Sequence, residues 1–115
     1  MHEYAVVLDL VEAIQVRMMK QGAPEVKRIR LRRDSTFAEG PLRQAFAVIT
    51  EHTPLASARL EIEELVVKRT CAGCSTSHTI VADDLLGHVY VCPDCGWSET
   101  IDEAHGLELL AVEYA

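Results

Sequence analysis

The chain is missing several features that would point to other kinds of protein. No apolar stretch approaches the ~18 residues that cross a bilayer, so no membrane-spanning role is expected. The start, Met1-His2-Glu3-Tyr4, has neither the basic flank nor the continuous apolar core of a secretory signal, so the cytoplasm is the expected location. Positive charge is scarce: 11 Lys and Arg stand against 18 Asp and Glu, for a formal net charge of −7. Phosphate binding needs local positive charge, so nucleic acid is not an expected partner. No Ser/His/Asp nucleophile arrangement, phosphate-cradling glycine loop or convincing carboxylate pair is present, and no catalytic activity is expected. Repeats and low-complexity segments are also absent. Hydrophobic residues nevertheless make up 49% of the 115, enough for a modest core and too many for a disordered chain.

All four cysteines fall into two short pairs, Cys71-Ala72-Gly73-Cys74 and Cys92-Pro93-Asp94-Cys95, with 17 residues between the pairs. Two residues between cysteines let a tight turn aim both sulfurs at one point, and a second such turn closes a tetrahedron around Zn2+. Four protein ligands leave no open position, so the zinc is expected to be structural. Disulfides are the weaker reading, because no secretory signal precedes them. A thioredoxin-like redox pair opens a helix after a strand and does not come twice at this spacing.

Along the chain, Val7, Val11, Ile14 and Met18 recur at helical spacing, with Leu10 on the same stripe. Gly22 and Pro24 stop that helix, predicted over 3–21. In the basic run Lys27 to Arg33, Ile29 and Leu31 alternate with arginines, the period of a half-buried strand. The run is most simply the wet face of that strand; the sharper alternative is a docking strip for an acidic partner or a weak nucleic-acid contact, which the acidity of the rest of the chain opposes. Asp34 to Glu39 reads as a polar loop. Gly40-Pro41 opens a second helix with Leu42, Ala45, Phe46 and Ile49 on its apolar side. Ala58, Leu60 and Ile62 predict a second strand, continued through Leu65-Val66-Val67. Two short strands, Thr79–Ala82 and His88–Val91, fall in the cysteine segment, and Leu107–Glu113 reads as a terminal strand. The expected fold class is α+β: a small sheet covered by two helices, with an inserted four-cysteine zinc-ribbon-like domain. The predicted division is residues 1–68 plus 106–115 for the helix-and-sheet domain and 69–105 for the zinc domain. The insert is too small for a core of its own and needs its metal as a staple.

The first three residues form a second metal-capable group. Met1 offers its terminal amine, and His2 offers an imidazole beside it. Amine, imidazole and intervening backbone nitrogens can chelate one ion in a nearly planar ring system, which suits Ni(II) or Cu(II) better than Zn2+. Glu3 adds a carboxylate, as an outer ligand or as a negative charge at the helix start. Taken alone, a histidine at position 2 is most often an accident of a mobile terminus.

The combination is more specific. Met1-His2-Glu3 runs directly into an amphipathic helix. Gly40-Pro41-Leu42-Arg43-Gln44-Ala45-Phe46 follows, then the two cysteine pairs, and then His105-Gly106-Leu107-Glu108-Leu109. In this order and spacing the chain resembles the HypA/HybF family of hydrogenase maturation factors along essentially its whole length. The resemblance implies a nickel metallochaperone that helps insert Ni(II) into [NiFe]-hydrogenase and, in some organisms, supplies urease. It implies a nickel-associated GTPase partner and the hydrogenase large subunit as recipient. It further implies transient Ni2+ at Met1, His2 and the Glu3 backbone or side chain, and structural Zn2+ at Cys71, Cys74, Cys92 and Cys95. Two places depart from the family pattern. Some members have histidines flanking the cysteine pairs that take part in an acid-sensitive rearrangement of the zinc site; here Ser75 follows the first pair and Gly96 the second, with His78 and His88 nearby but not at those places. The stretch after the first strand usually carries a glycine near its end. Here it reads Leu31-Arg32-Arg33-Asp34-Ser35.

The remaining singled-out residues have plainer readings. Tyr4, Phe46 and Trp97 read as packing residues, with Trp97 placed to shield thiolates. His78, His88 and His105 read as surface or loop residues, with His88 the candidate for a hydrogen bond to a cysteine sulfur. His52 is expected to interact with the end of the second helix. Asp83-Asp84 reads as a turn. The alternative function is a zinc-ribbon interaction or regulatory adaptor with an inert N-terminus and no nickel transfer.

Overall fold

The computed structural model describes residues 2–115, with His2 described by its backbone alone; Met1 lies outside the described residues. The elements are α1 (His2–Gln21), β1 (Val26–Arg33), α2 (Glu39–Thr50), β2 (Arg59–Glu64), β3 (Val66–Thr70), β4 (Ser77–Val81), a single 3-10 turn (Ala82–Asp84), β5 (Leu85–Leu86), β6 (Val89–Val91), β7 (Ser98–Thr100) and β8 (Leu107–Tyr114). The α+β class expected from the sequence is borne out. Among the described residues, no helix is long and apolar enough to cross a membrane.

In α1, Val7, Val11, Ile14 and Met18 form the buried stripe. The helix ends at Gly22, whose positive φ of 65° lets the chain turn back. The amides of Gly22 and Ala23 then donate to the carbonyls of Met19 and Met18 and satisfy two orphan acceptors. The first sheet has the order β2-β1-β8. β1 runs parallel to β2 and antiparallel to β8. A shift of register against β8 between Val26 and Arg28 lets Val26 and Ile29, three residues apart, both point inward. They join Leu31, the α1 stripe and Leu42, Ala45 and Phe46 of α2 in one core.

The opposite face of this sheet is wet and ionic. Arg28 reaches Glu113 at 2.8 Å, Arg32 reaches Glu108 at 3.0 Å, and Arg30 lies 3.7 Å from Glu61 and 3.8 Å from Glu63. The central strand is basic and its two neighbours are acidic. The basic run is therefore matched within its own sheet, which leaves little unpaired charge for an acidic partner.

The predicted continuous strand through Val67 is broken. The amide of Leu65 makes a last bond to the Arg33 carbonyl at 2.9 Å, and the chain then leaves the sheet to pair as β3 with β4. Leu65 and Val67 belong to a second core with Ile80, Ala82, Leu85, Tyr90, Ile101 and Ala104, so the insert, expected to be too small for a core of its own, has one. The β5-β6-β7 sheet completes this second lobe. Asp84, at the predicted turn, accepts the Val81 amide at 2.9 Å.

The exit from the second lobe lies beside the entrance. The amide of Asp34 donates to the Gly106 carbonyl at 2.9 Å, one residue along β1 from the bond that anchors Leu65. Asp34, read from sequence as loop, is buried at 2% exposure. Its Oδ1 accepts the Thr36 amide at 2.8 Å and its Oδ2 the Gly106 amide at 2.6 Å. Burial alone would raise its pKa. The Thr36 and Gly106 amides, with the Thr36 side chain and the charge of His88, outweigh burial and hold the carboxyl below its ordinary value.

Candidate metal centre

Both cysteine pairs sit in the bends of two hairpins, β3–β4 and β6–β7, and the two bends are built alike. In the first, the Cys71 amide donates to the Thr76 carbonyl at 2.9 Å and the Ser75 amide to the Cys71 carbonyl at 2.8 Å. In the second, the Cys92 amide donates to the Trp97 carbonyl at 2.7 Å and the Gly96 amide to the Cys92 carbonyl at 2.9 Å. Each bend ends on a left-handed residue, Ser75 at φ 63° and Gly96 at φ 79°. These bonds use the backbone groups that a tight bend would otherwise strand, and they leave both side chains of each pair facing the other hairpin.

The four sulfurs converge. Cys71 and Cys95 Sγ are 3.5 Å apart, Cys74 and Cys92 Sγ 3.8 Å, and all four lie within 4.8 Å of one another. All four cysteines are free. Zn–S bonds of ~2.3 Å at tetrahedral angles place sulfurs about 3.8 Å apart, so the arrangement fits zinc. The clustered sulfurs perturb one another's ionisation. Hydrogen bonding from the Thr76 side chain and amide, assisted by Cys95 and Cys71 and opposed by burial, brings Cys74 down to about 6. Cys95 accepts from the Trp97 amide, which favours its thiolate, yet burial and the three neighbouring cysteines push it up to about 12. Four sulfurs this close become thiolates together only around a cation.

Two side chains beside the cluster differ from expectation. His88 makes no bond to a cysteine among the described residues. His78 does the approaching: its Nε2 lies 3.6 Å from Cys92 Sγ and 3.1 Å from Asp94 Oδ2. Trp97 is half exposed rather than packed, but it closes over the first bend. A Cβ built on Gly73 would stand 3.0 Å from Trp97 Cβ and 3.1 Å from Cys95 Sγ. Tyr4 is likewise exposed, and of the three aromatics read as packing only Phe46 is buried. His52 is exposed, with a positive φ of 64° just past α2, and sits 3.6 Å from Glu51.

Of the predicted nickel residues, the His2 backbone and Glu3 belong to the other lobe. The Met1 amine and the His2 side chain lie outside the described residues. The His2 backbone opens α1, and Glu3 follows in the first turn. First-turn amides have no carbonyl partner within the helix, so their nitrogens are free for other bonding. Glu3 also lines a cavity of about 550 Å3 with Tyr4, Pro41, Gln44, Ala45 and Val48, in the cleft between α1 and α2.

The HypA family model, described as hydrogenase/urease nickel incorporation, metallochaperone, matches residues 1–114. The chain belongs to the HypA family. The hydrogenase maturation factor HypA of Chloroflexus aggregans is 33% identical over 116 residues, covering 98% of each chain. That of Roseiflexus sp. is 33% identical over 119 residues, covering 99% of this chain and 92% of its own. The solution structure of the Ni metallochaperone HypA from Helicobacter pylori superposes with a TM-score of 0.63 at 24% identity, over 97% of this chain and 96% of that one. It therefore shares the fold. The resemblance read from the sequence holds, and the chain is a member of a family of nickel-incorporation maturation factors.

Proposed function

We propose that this protein carries Ni(II) at its N-terminus and helps deliver it to [NiFe]-hydrogenase during maturation, and to urease where that enzyme is present. The observation that carries this reading is the family match over residues 1–114, which includes the Met-His-Glu start and both cysteine pairs. The Met1 amine, the His2 imidazole and backbone nitrogen and Glu3 would hold the nickel cargo. The start of α1 at the His2 backbone, with Glu3 in the first turn, supports this, since amides there are uncommitted. Cys71, Cys74, Cys92 and Cys95 would hold zinc as a structural staple, with no position left for incoming substrate. Functionally the chain divides into a nickel-binding part, 1–68 plus 106–115, and a zinc-binding part, 69–105; the packing of the second core begins slightly earlier, at Leu65. The partners are a nickel-associated GTPase and the hydrogenase large subunit, in the cytoplasm.

The test is calorimetric Ni2+ titration of zinc-loaded protein with its native start, beside His2→Ala. One site present in the first and absent in the second, with equal zinc content, is the expected result. A terminal amine titrates near ~7.7 and must lose its proton to bind, so nickel affinity should fall as pH drops from about 7 to 6. Retained nickel binding in His2→Ala would refute the terminal site. No binding in either protein would favour a zinc-ribbon adaptor instead.

A further inference from the structure

We propose that His78, Asp94 and the Cys92 thiolate form a second metal subsite, which shares Cys92 with the four-cysteine centre and takes one borderline divalent transition ion. The inference rests on the four-cysteine zinc reading above and extends it.

The geometry comes first. His78 Nε2 is 3.6 Å from Cys92 Sγ and 3.1 Å from Asp94 Oδ2, and the three atoms lie within 4.8 Å of one another. An ion bonded to imidazole nitrogen at ~2.05 Å and thiolate at ~2.3 Å sets N and S about 3.6 Å apart at a tetrahedral angle. The same ion with a carboxylate oxygen at ~2.1 Å sets N and O between about 2.9 and 3.4 Å, from right-angled to tetrahedral. Both observed separations fall on these values. A hydrogen bond accounts for either contact singly, but the one proton on Nε2 serves only one of the two acceptors at a time.

The donor set and its charge point the same way. Nitrogen, oxygen and sulfur together suit the borderline ions, Ni(II), Co(II) and Zn(II), rather than Mg2+ or Ca2+. Four thiolates around Zn2+ leave a local charge of −2, and Asp94 adds another negative charge at its edge, so a further cation is attracted. Two cationic side chains, Lys68 and Arg69, line a cavity of about 320 Å3 with His78. Arg69, cross-strand from His78, is already bound to Glu103, which offsets its repulsion. Access is open on one side: Asp94 is 53% exposed, while His78 is 18% exposed and held by its strand. Thiolates bridge readily because sulfur keeps lone pairs after binding one ion. Cys92 therefore need not leave the first centre to serve the second.

The probe is Co2+, added to zinc-loaded full-length protein carrying His2→Ala, so that the terminus does not compete. Thiolate ligation of Co2+ gives a near-ultraviolet charge-transfer band, and bound zinc is counted in parallel by elemental analysis. The expected result is one Co2+ with a thiolate band while one zinc per chain is retained. His78→Ala and Asp94→Asn should each weaken that Co2+ binding at least about tenfold, the low end for loss of even an outer partner of a metal ligand. Both should keep their zinc and an unchanged Trp97 fluorescence. Absence of the thiolate band, a band that grows only as zinc is released one for one, or a band untouched by both substitutions would each overturn the subsite. Less than one tightly held zinc before cobalt is added would overturn the four-cysteine centre, and a shared thiolate with it.

Discussion

Gly73 has room for hydrogen and for little else, because Trp97 and Cys95 stand where its Cβ would go. Gly73→Ala must push Trp97 or distort a sulfur. A cost of about 1–3 kcal/mol is expected from such overpacking, read as faster zinc loss to a chelator and a shift in Trp97 emission. Unchanged zinc loss would show that the bend yields freely. Asp34 works through hydrogen bonds to backbone amides. Asp34→Asn replaces one carboxylate acceptor with a donor facing an N–H, and should destabilise by about 1–3 kcal/mol at neutral pH. The pH sign follows from its lowered pKa: its contribution is complete above the ordinary value of 3.8 and fades as pH falls through the lower folded value. The difference between wild type and Asp34→Asn in chemical denaturation should therefore shrink on acidification below that value, and a constant difference would remove the carboxylate from the account. Neither Asp34 nor His78 was legible in the sequence as an important side chain. Asp34's decisive partner, Gly106, is 72 residues away. The choice of His78 over His88 depends on which hairpin faces the cysteines, which residue spacing does not carry.

At the scale of elements, long and periodic segments were readable and short ones were not. α1 and α2 bury apolar residues at helical spacing, β1 alternates Ile29 and Leu31 with arginines, and β8 is a long, mostly apolar run half-buried against the same core; those patterns predicted them within a residue or two. β5 and β7 have two and three residues, too few to show any period. The break at Leu65 escaped because Leu65, Val66 and Val67 are all apolar; what divides them is a change of pairing partner from β1 to β4. The four-cysteine cluster was legible because its information is local, two residues between sulfurs in a bend that the backbone closes by itself. Acidic neighbours for the basic strand were visible only as unrelated glutamates until the register aligned them. This ladder is exposed, so its pairs contribute little each. Arg30→Ala should change stability by less than about 1 kcal/mol, measured by urea denaturation at low and moderate salt. A larger loss would mean that the ladder acts as a network.

The whole molecule is drawn out, 53 Å by 27 Å by 18 Å, with a radius of gyration of 16.9 Å. A single compact domain of this length would have a radius of about 13 Å, so the two cores sit end to end. What joins them is the short stretch where β1 ends, with Arg33 holding the entrance and Asp34 the exit. Chain order then fixes a sequence in time. β8 forms one side of the three-stranded sheet, yet it follows both hairpin bends in the chain and is synthesised after them. On the ribosome, all four sulfurs exist before β1 can acquire its antiparallel neighbour. The helix-and-sheet lobe is thus the second of the two to be finished, because β8 arrives only after the insert has had its opportunity to close around a metal.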